Sequence, residues 1–276
     1  MVLFNTDERD LKMVWQVEKG AAISYLVGTT HLFPYNFKKS LNSLIKKVKT
    51  FVLEAPVDEA NMKKVVDSGL NSEGMPSLYN ALNDQTIIKI NKELDFAFQR
   101  YTPFLFSINT IHPGTIDWLS SMIKGLKPWM AFFNIFAHYL KKRGWKYMMD
   151  VDALKIAKKF DKDIHFLESM DDHIKALDGI PIGKFVAFLK KIDESEECVA
   201  KFVDCYTKGY FTELMSSING FPMYCESVIE ERDPILYNRV KVFLERGDCI
   251  ALIGLFHMPG IQKLLEEDGY RIKKIW

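Results

Sequence analysis

Four short apolar runs end at glycine or at a carboxylate: Ile23–Val27 before Gly28, Phe51–Leu53 before Glu54, Ile164–Leu167 before Glu168, and Ile250–Ile253 before Gly254. Their length, their β-branched and aromatic content and their flanking residues predict buried strands rather than helices. Between the first two runs, Asn36–Lys49 places Phe37, Leu41, Leu44, Ile45 and Val48 at the i, i+3/i+4 spacing of an amphipathic helix, which gives a βαβ unit. Asp152–Lys159 predicts a helix feeding Ile164–Leu167. Farther on, a helix over Pro234–Glu245, the run ending at Ile253, a helix from Gly260 and a last strand over Arg271–Trp276 continue the alternation. Strands alternating with helices predict an α/β fold with a mostly parallel central sheet flanked by helices on both faces.

Two longer segments break this rhythm. Residues 61–146 and 171–225 lack strand signals and carry helical periods such as Leu82–Phe98, punctuated by Pro103, Pro113 and Pro128. They predict helical insertions forming a cap over one edge of the sheet, within a single domain spanning residues 1–276. No solenoid-type repeat is visible. The most apolar stretch, Trp129–Leu140, falls short of the roughly 18 residues needed to span a bilayer and contains Asn134 and His138. It reads as a buried helix, with a membrane-surface helix or a partner-binding surface, including one for a homo-oligomer, as the alternatives.

Composition narrows the function classes. With 48% apolar and 26% charged residues, the 276-residue chain is far from the composition of disordered proteins. Lys+Arg number 37 against Asp+Glu 36, so no global field draws polyanions and nucleic acid is not expected as a partner. Cys198, Cys205, Cys225 and Cys249 form no Cys-x-x-Cys pair and read as reduced, mostly buried thiols. The first ten residues lack the cationic and apolar regions of a secretory signal, which predicts a cytoplasmic protein.

The chemistry lies at the strand ends. Gly28-Thr29-Thr30-His31 and Gly254-Leu255-Phe256-His257 repeat one Gly-x-x-His pattern, each directly after an apolar strand. In open parallel sheets, the carboxyl edge is where sites form. The glycines are expected to provide sharp turns with unrestricted φ that project His31 and His257 over that edge. Glu54 adds a carboxylate that is costly to bury unless it is paired or metal-bound. Two imidazoles and a carboxylate make the ligand set of a catalytic divalent metal. An ion pair of Glu54 with Arg232 or a nearby Lys is the alternative, and Arg232 with Asp233 reads either as an anion clamp or as an exposed helix start. His112, His138 and His165 read as structural, and the 12 Met and 20 Phe as core.

In this order, these motifs resemble the TraB/PrgY/GumN family, which includes the Tiki proteases and is distantly related to erythromycin esterase and haem-binding ChaN. The resemblance runs from Trp15 to Trp276. It is carried by the two Gly-x-x-His motifs, Val52-Leu53-Glu54, Lys127-Pro128-Trp129, Asp150, Leu167-Glu168-Ser169, Glu231-Arg232-Asp233, Gly260 and Gly269-Tyr270. It implies an erythromycin esterase/ChaN-like α/β fold and a metal-dependent peptidase using manganese or cobalt, with zinc as a third candidate. His31, Glu54 and His257 would be the catalytic and metal-binding set, and Asp150, Glu168 and Arg232 would support them or orient a peptide or small-molecule substrate. The chain departs from the family pattern at Asp233, where Asn is usual, at His173, where Gln is frequent, and at Met149, where Gly commonly precedes the Asp.

The expected mechanism has a divalent ion on His31 and His257 lowering the pKa of bound water, with Glu54 as ligand or general base. Arg232 or the metal would stabilise the oxyanion. Two alternatives stand beside it. One is a non-catalytic protein that sequesters a peptide pheromone or haem, and the other is a metal-independent esterase with histidine as general base.

Overall fold

The computed structural model describes residues 7–94, 118–218 and 220–275. Two strands, β1 (Val14–Lys19) and β2 (Ala22–Thr29), open the chain, followed by α1 (Lys38–Lys46) and β3 (Thr50–Leu53). The described parts of the next segment hold α2 (Glu59–Ser68), α3 (Leu78–Ala81), α4 (Asp84–Leu94), α5 (Trp118–Ile123), α6 (Pro128–Lys142) and α7 (Met149–Lys159). After β4 (Asp163–Phe166) come α8 (Met170–Asp178), α9 (Ile182–Leu189), α10 (Ser195–Lys208), α11 (Phe211–Ser217) and α12 (Asp233–Arg246). The chain closes with β5 (Cys249–Gly254), α13 (Met258–Glu267) and β6 (Arg271–Lys274).

The six strands form one sheet in the order β4-β3-β5-β2-β1-β6. The four strands expected from the apolar runs are its parallel centre: β2 and β3 both pair parallel with β5, and β3 pairs parallel with β4. β5 lies between the two strands of the βαβ unit, and Ile250, Ala251, Leu252 and Ile253 are all fully buried. An uninterrupted apolar run suits a strand covered on both faces.

β1 was not among the expected strands. It pairs antiparallel with β2 through a tight turn in which Gly20 takes φ +60°, and β6 pairs antiparallel with it on the other side. Its sequence, VWQVEK, buries Val14, Trp15 and Val17 but ends in Glu18 and Lys19, so neither a clean alternation nor an apolar run announces it. The helices pack around this frame: α12 lies against β1, β2 and β5, while α7 lies against α1 and β3. Among the described residues, no helix is long and apolar enough to cross a membrane. The aromatic helix, α6, buries Trp129, Phe132 and Tyr139, and Phe132 stacks on Phe185 of α9 at 4.9 Å. That contact agrees with the buried reading of Trp129–Leu140.

Candidate active site at the carboxyl edge of the sheet

Parallel pairing aligns the strand ends. Leu53 is level with both Leu252 and Phe166, and Thr29 is level with Gly254, so the residues that follow emerge side by side. The ladder continues one step past the strands: the Glu54 amide donates to the Leu252 carbonyl at 3.0 Å and the Glu168 amide to the Glu54 carbonyl at 2.9 Å. Glu54 and Glu168 are thereby fixed next to each other, both buried.

The motif glycines are used differently from the expectation. Neither Gly28 nor Gly254 has positive φ. What each position requires is the absence of a side chain. A Cβ on Gly28 would lie 2.5 Å from Leu255 Cδ1, and one on Gly254 would lie 3.0 Å from Glu54 Oε2. The Gly254 amide donates to that same Oε2 at 2.6 Å.

Arg232, the residue just before α12, is buried rather than exposed, and its guanidinium ties the site together. Nη2 donates to Glu54 Oε1 and to Glu168 Oε1, each at 2.6 Å. Nε donates to Glu168 Oε2 at 3.2 Å, and Nη1 to the Val228 carbonyl at 3.3 Å and to His257 Nε2 at 3.0 Å. A guanidinium has five N–H donors, and these five contacts engage all of them. The Glu54–Arg232 pair foreseen as an alternative is therefore present, and Arg232 keeps no donor for a substrate anion. Burial raises the Glu54 pKa, but facing His257 and Arg232, and then His173 and His31, outweigh it and hold the carboxyl well below its usual range. Burial opposes the charge of Arg232 too, yet Glu54 and Glu168 raise its pKa above the ordinary value.

Two His–Asp pairs flank this cluster. His257 Nδ1 lies 2.6 Å from Asp233 Oδ1. Because Arg232 must donate to Nε2, the network assigns the proton to Nδ1, from which it is donated to Asp233. The pair is buried, and burial raises the Asp233 pKa more than the bond to His257 lowers it. Gly260 makes the pair possible, since a Cβ there would fall 1.8 Å from Asp233 Oδ2.

His31 Nδ1 lies 2.5 Å from Oδ2 of Asp150, a buried carboxylate in the first turn of α7 where the helix dipole favours an anion. The His31 side chain is 67% exposed. Among the described residues no hydrogen bond engages its Nε2. Desolvation by the surrounding chain opposes its charge, but the charge and hydrogen bond of Asp150, joined by the charge of Glu54, raise the His31 pKa to about 9. Behind it, the buried Tyr206 hydroxyl of α10 donates to the Gly28 carbonyl at 2.7 Å and anchors the strand end that leads to His31.

His173, noted in the sequence only as a departure from a family pattern, belongs to the cluster. It sits on α8, whose start is fixed by a Ser169–Asp172 capping box, and its Nδ1 is 2.7 Å from Glu168 Oε1. Glu54, Glu168 and His173 offer ligand atoms that all lie within 4.8 Å of one another, a donor set suited to a divalent cation. His31 and His257 are not in that group. Arg232 Nη2 stands 2.6, 2.6 and 3.4 Å from Glu54 Oε1, Glu168 Oε1 and His173 Nδ1. A cation is already seated there, and the Nε2 lone pair of His257 is taken by the same guanidinium. As arranged, these residues do not fit a resident divalent ion.

The remaining histidines stand apart. His138 Nδ1 is 2.9 Å from the Asn134 carbonyl within α6, and His165 Nε2 is 2.8 Å from Asp163 on β4. His112 lies outside the described residues. The four cysteines are free thiols, with Cys198 exposed and the others buried.

The model of the TraB/PrgY/gumN family matches residues 13–274, nearly the whole chain. No curated protein matches, and no solved structure matches.

Proposed function

The chain belongs to the TraB/PrgY/gumN family, and on that premise we propose that it is a hydrolase of peptide or small ester carbonyls in which the His31–Asp150 pair transfers the proton. One observation carries this reading: His31 is held at 2.5 Å by a buried carboxylate while two-thirds of its side chain stays open to solvent, at the strand edge where parallel sheets place their sites. Asp150 fixes the Nδ1–H tautomer, which leaves Nε2 to accept a proton from water as it attacks the carbonyl carbon. The imidazolium then returns that proton to the leaving amine or alkoxide. Glu54, Glu168 and Arg232 do not touch the reacting atoms in this scheme. Arg232 offsets one of the two carboxylate charges, and through Nη1 it holds His257 in place.

A pKa of about 9 for His31 makes the base form scarce at neutral pH, so turnover rises toward alkaline pH. The test is a screen of peptide and ester substrates with the parent protein, the His31→Ala variant and the parent after chelation. Hydrolysis by the parent that vanishes in His31→Ala and survives chelation is expected. Stoichiometric binding of a peptide without its consumption, or a Soret band after loading with haem, would replace the hydrolase by the sequestering alternative. Activity lost on chelation and restored by manganese, cobalt or zinc would overturn the metal-independent reading.

A further inference from the structure

We propose that Arg232 is a built-in substitute for a metal ion, and that removing its guanidinium turns Glu54, Glu168 and His173 into a divalent-metal site that the parent protein does not have. The two carboxylates and the imidazole converge on one point, with ligand atoms within 4.8 Å of one another. That point holds Arg232 Nη2, 2.6 Å from each carboxylate oxygen and 3.4 Å from His173 Nδ1.

The arrangement differs from a site that merely has an arginine nearby. All five N–H groups have acceptors, so the guanidinium has a complete reason to stay: Glu168 takes two of the bonds in a bidentate grip, and the Val228 carbonyl and His257 hold the remaining nitrogen. An arriving dication would meet a fixed positive charge at the distance of its own ligands, and it would have to share two carboxylates that this charge already bridges. His173 gives its Nδ1 to Glu168 Oε1 at 2.7 Å, which suits a histidine donating its proton rather than ligating through that atom. Asp233 and Gly260 lock the other side. The carboxylate occupies the space a Gly260 side chain would fill and holds His257 so that Nε2 faces Arg232. A neutral side chain at position 232 removes the competing charge, frees both carboxylates and lets the His173 proton leave on metal binding, as ligand sites require.

The experiment measures metal content and affinity, independently of any catalytic assay. Parent protein, Arg232→Met, Arg232→Lys and the double variant Arg232→Met/His173→Ala are each equilibrated with manganese, cobalt or zinc, desalted and analysed by native mass spectrometry and titration calorimetry. The parent and Arg232→Lys should retain no stoichiometric metal. Arg232→Met should take up one ion per chain with affinity at least tenfold to a hundredfold above the parent, and the double variant should lose most of that gain. Recovery of the Arg232→Met fold only when metal is present would also support the assignment. A parent that binds one ion tightly and loses it in Glu168→Gln would overturn it, as would a folded Arg232→Met that binds no better than the parent. If Arg232→Met folds under neither condition, the parent decides alone: the absence of stoichiometric uptake supports the substitution, and uptake that depends on Glu168 overturns it.

Discussion

His31 and His257 each end a Gly-x-x-His motif, follow neighbouring parallel strands and bond an aspartate in the first turn of a helix. Their surroundings differ completely. The His257 side chain is 4% exposed and both ring nitrogens are engaged, one by Asp233 and one by Arg232, whereas the His31 side chain is 67% exposed with a single bonded nitrogen. One motif thus stands in two settings: in the proposed hydrolase His31 exchanges a proton with the substrate, whereas His257 accepts from Arg232 and helps to hold it. Ring chemistry is the same in both, and environment assigns the work.

Exchanging the fates of the two histidines is the strongest challenge to this division. In the proposed hydrolase, His31→Ala loses turnover by about a hundredfold to ten-thousandfold, the range of general acid–base catalysis. It leaves one buried group, Asp150, without its partner. His257→Ala leaves two, Asp233 and an Arg232 N–H, at a cost on the order of 1–3 kcal/mol for each unpaired group, so urea unfolding should show the larger loss of stability there. Equal stability in the two variants, with turnover lost only in His257→Ala, would reverse the assignment.

Gly260→Ala sharpens the comparison from one side. Its Cβ would intrude on Asp233 Oδ2, so the His257 pair must open while the His31 pair is untouched. A destabilisation of about 1–3 kcal/mol is expected from such overpacking, with the His31 titration unchanged by NMR. A shifted His31 titration would mean that the two pairs are not independent.

The pH response separates them further. With a folded pKa raised to about 9 from the ordinary 6.5, His31 pairing contributes stability that is full below 6.5 and is lost as pH rises through 9. Solvent at the exposed ring keeps that contribution small. Asp150→Asn should bring the His31 midpoint, read from its ring proton shift, back toward 6.5 together with the alkaline rise in turnover. Glu54 acts in the opposite direction: its depressed pKa contributes stability above its ordinary value of 4.5 that fades on acidification. The smallest effect belongs to Tyr206→Phe, which removes the hydroxyl bonded to the Gly28 carbonyl. A loss of about 1 kcal/mol in thermal or urea unfolding is expected, with KM unchanged and a modest fall in kcat; no change in either would make the contact incidental.

What could be read from the sequence divides along physical lines. The four parallel strands were legible because burial on both faces writes an apolar run, and His31, Glu54, Glu168 and His257 were legible because each follows such a run. α7 begins at Met149, earlier than its apolar period suggests, because Asp150 and Asp152 suit a helix start without contributing to the apolar stripe. The ion cluster was legible only as an alternative pairing of Glu54 with Arg232 or a nearby Lys, and the convergence of Glu168 and His173 on the same guanidinium was not. Arg232 meets Glu54 across 178 positions and Glu168 across 64, and no local pattern encodes which carboxylates a distant guanidinium will reach. Gly260 stood among the motif residues, yet its reason is a close approach by Asp233, which is visible only once the two helices are in place. The same holds for the motif glycines, whose value lies in missing side chains rather than in unusual backbone angles.

The position of β5 has a consequence for the making of the protein. Synthesis supplies β2 and β3 early, but the strand that belongs between them arrives only when residues 249–254 leave the ribosome. Until then Arg232 has no His257 to hold, Glu54 has no Gly254 amide to accept, and the apolar edges of the two early strands lack their neighbour. A growing chain therefore carries the reactive groups without the arrangement that gives them purpose, and it exposes unpaired strand edges that invite association with other chains. The carboxyl edge is complete only once β5 lies between β2 and β3, so the last third of the chain decides when the first third is in order.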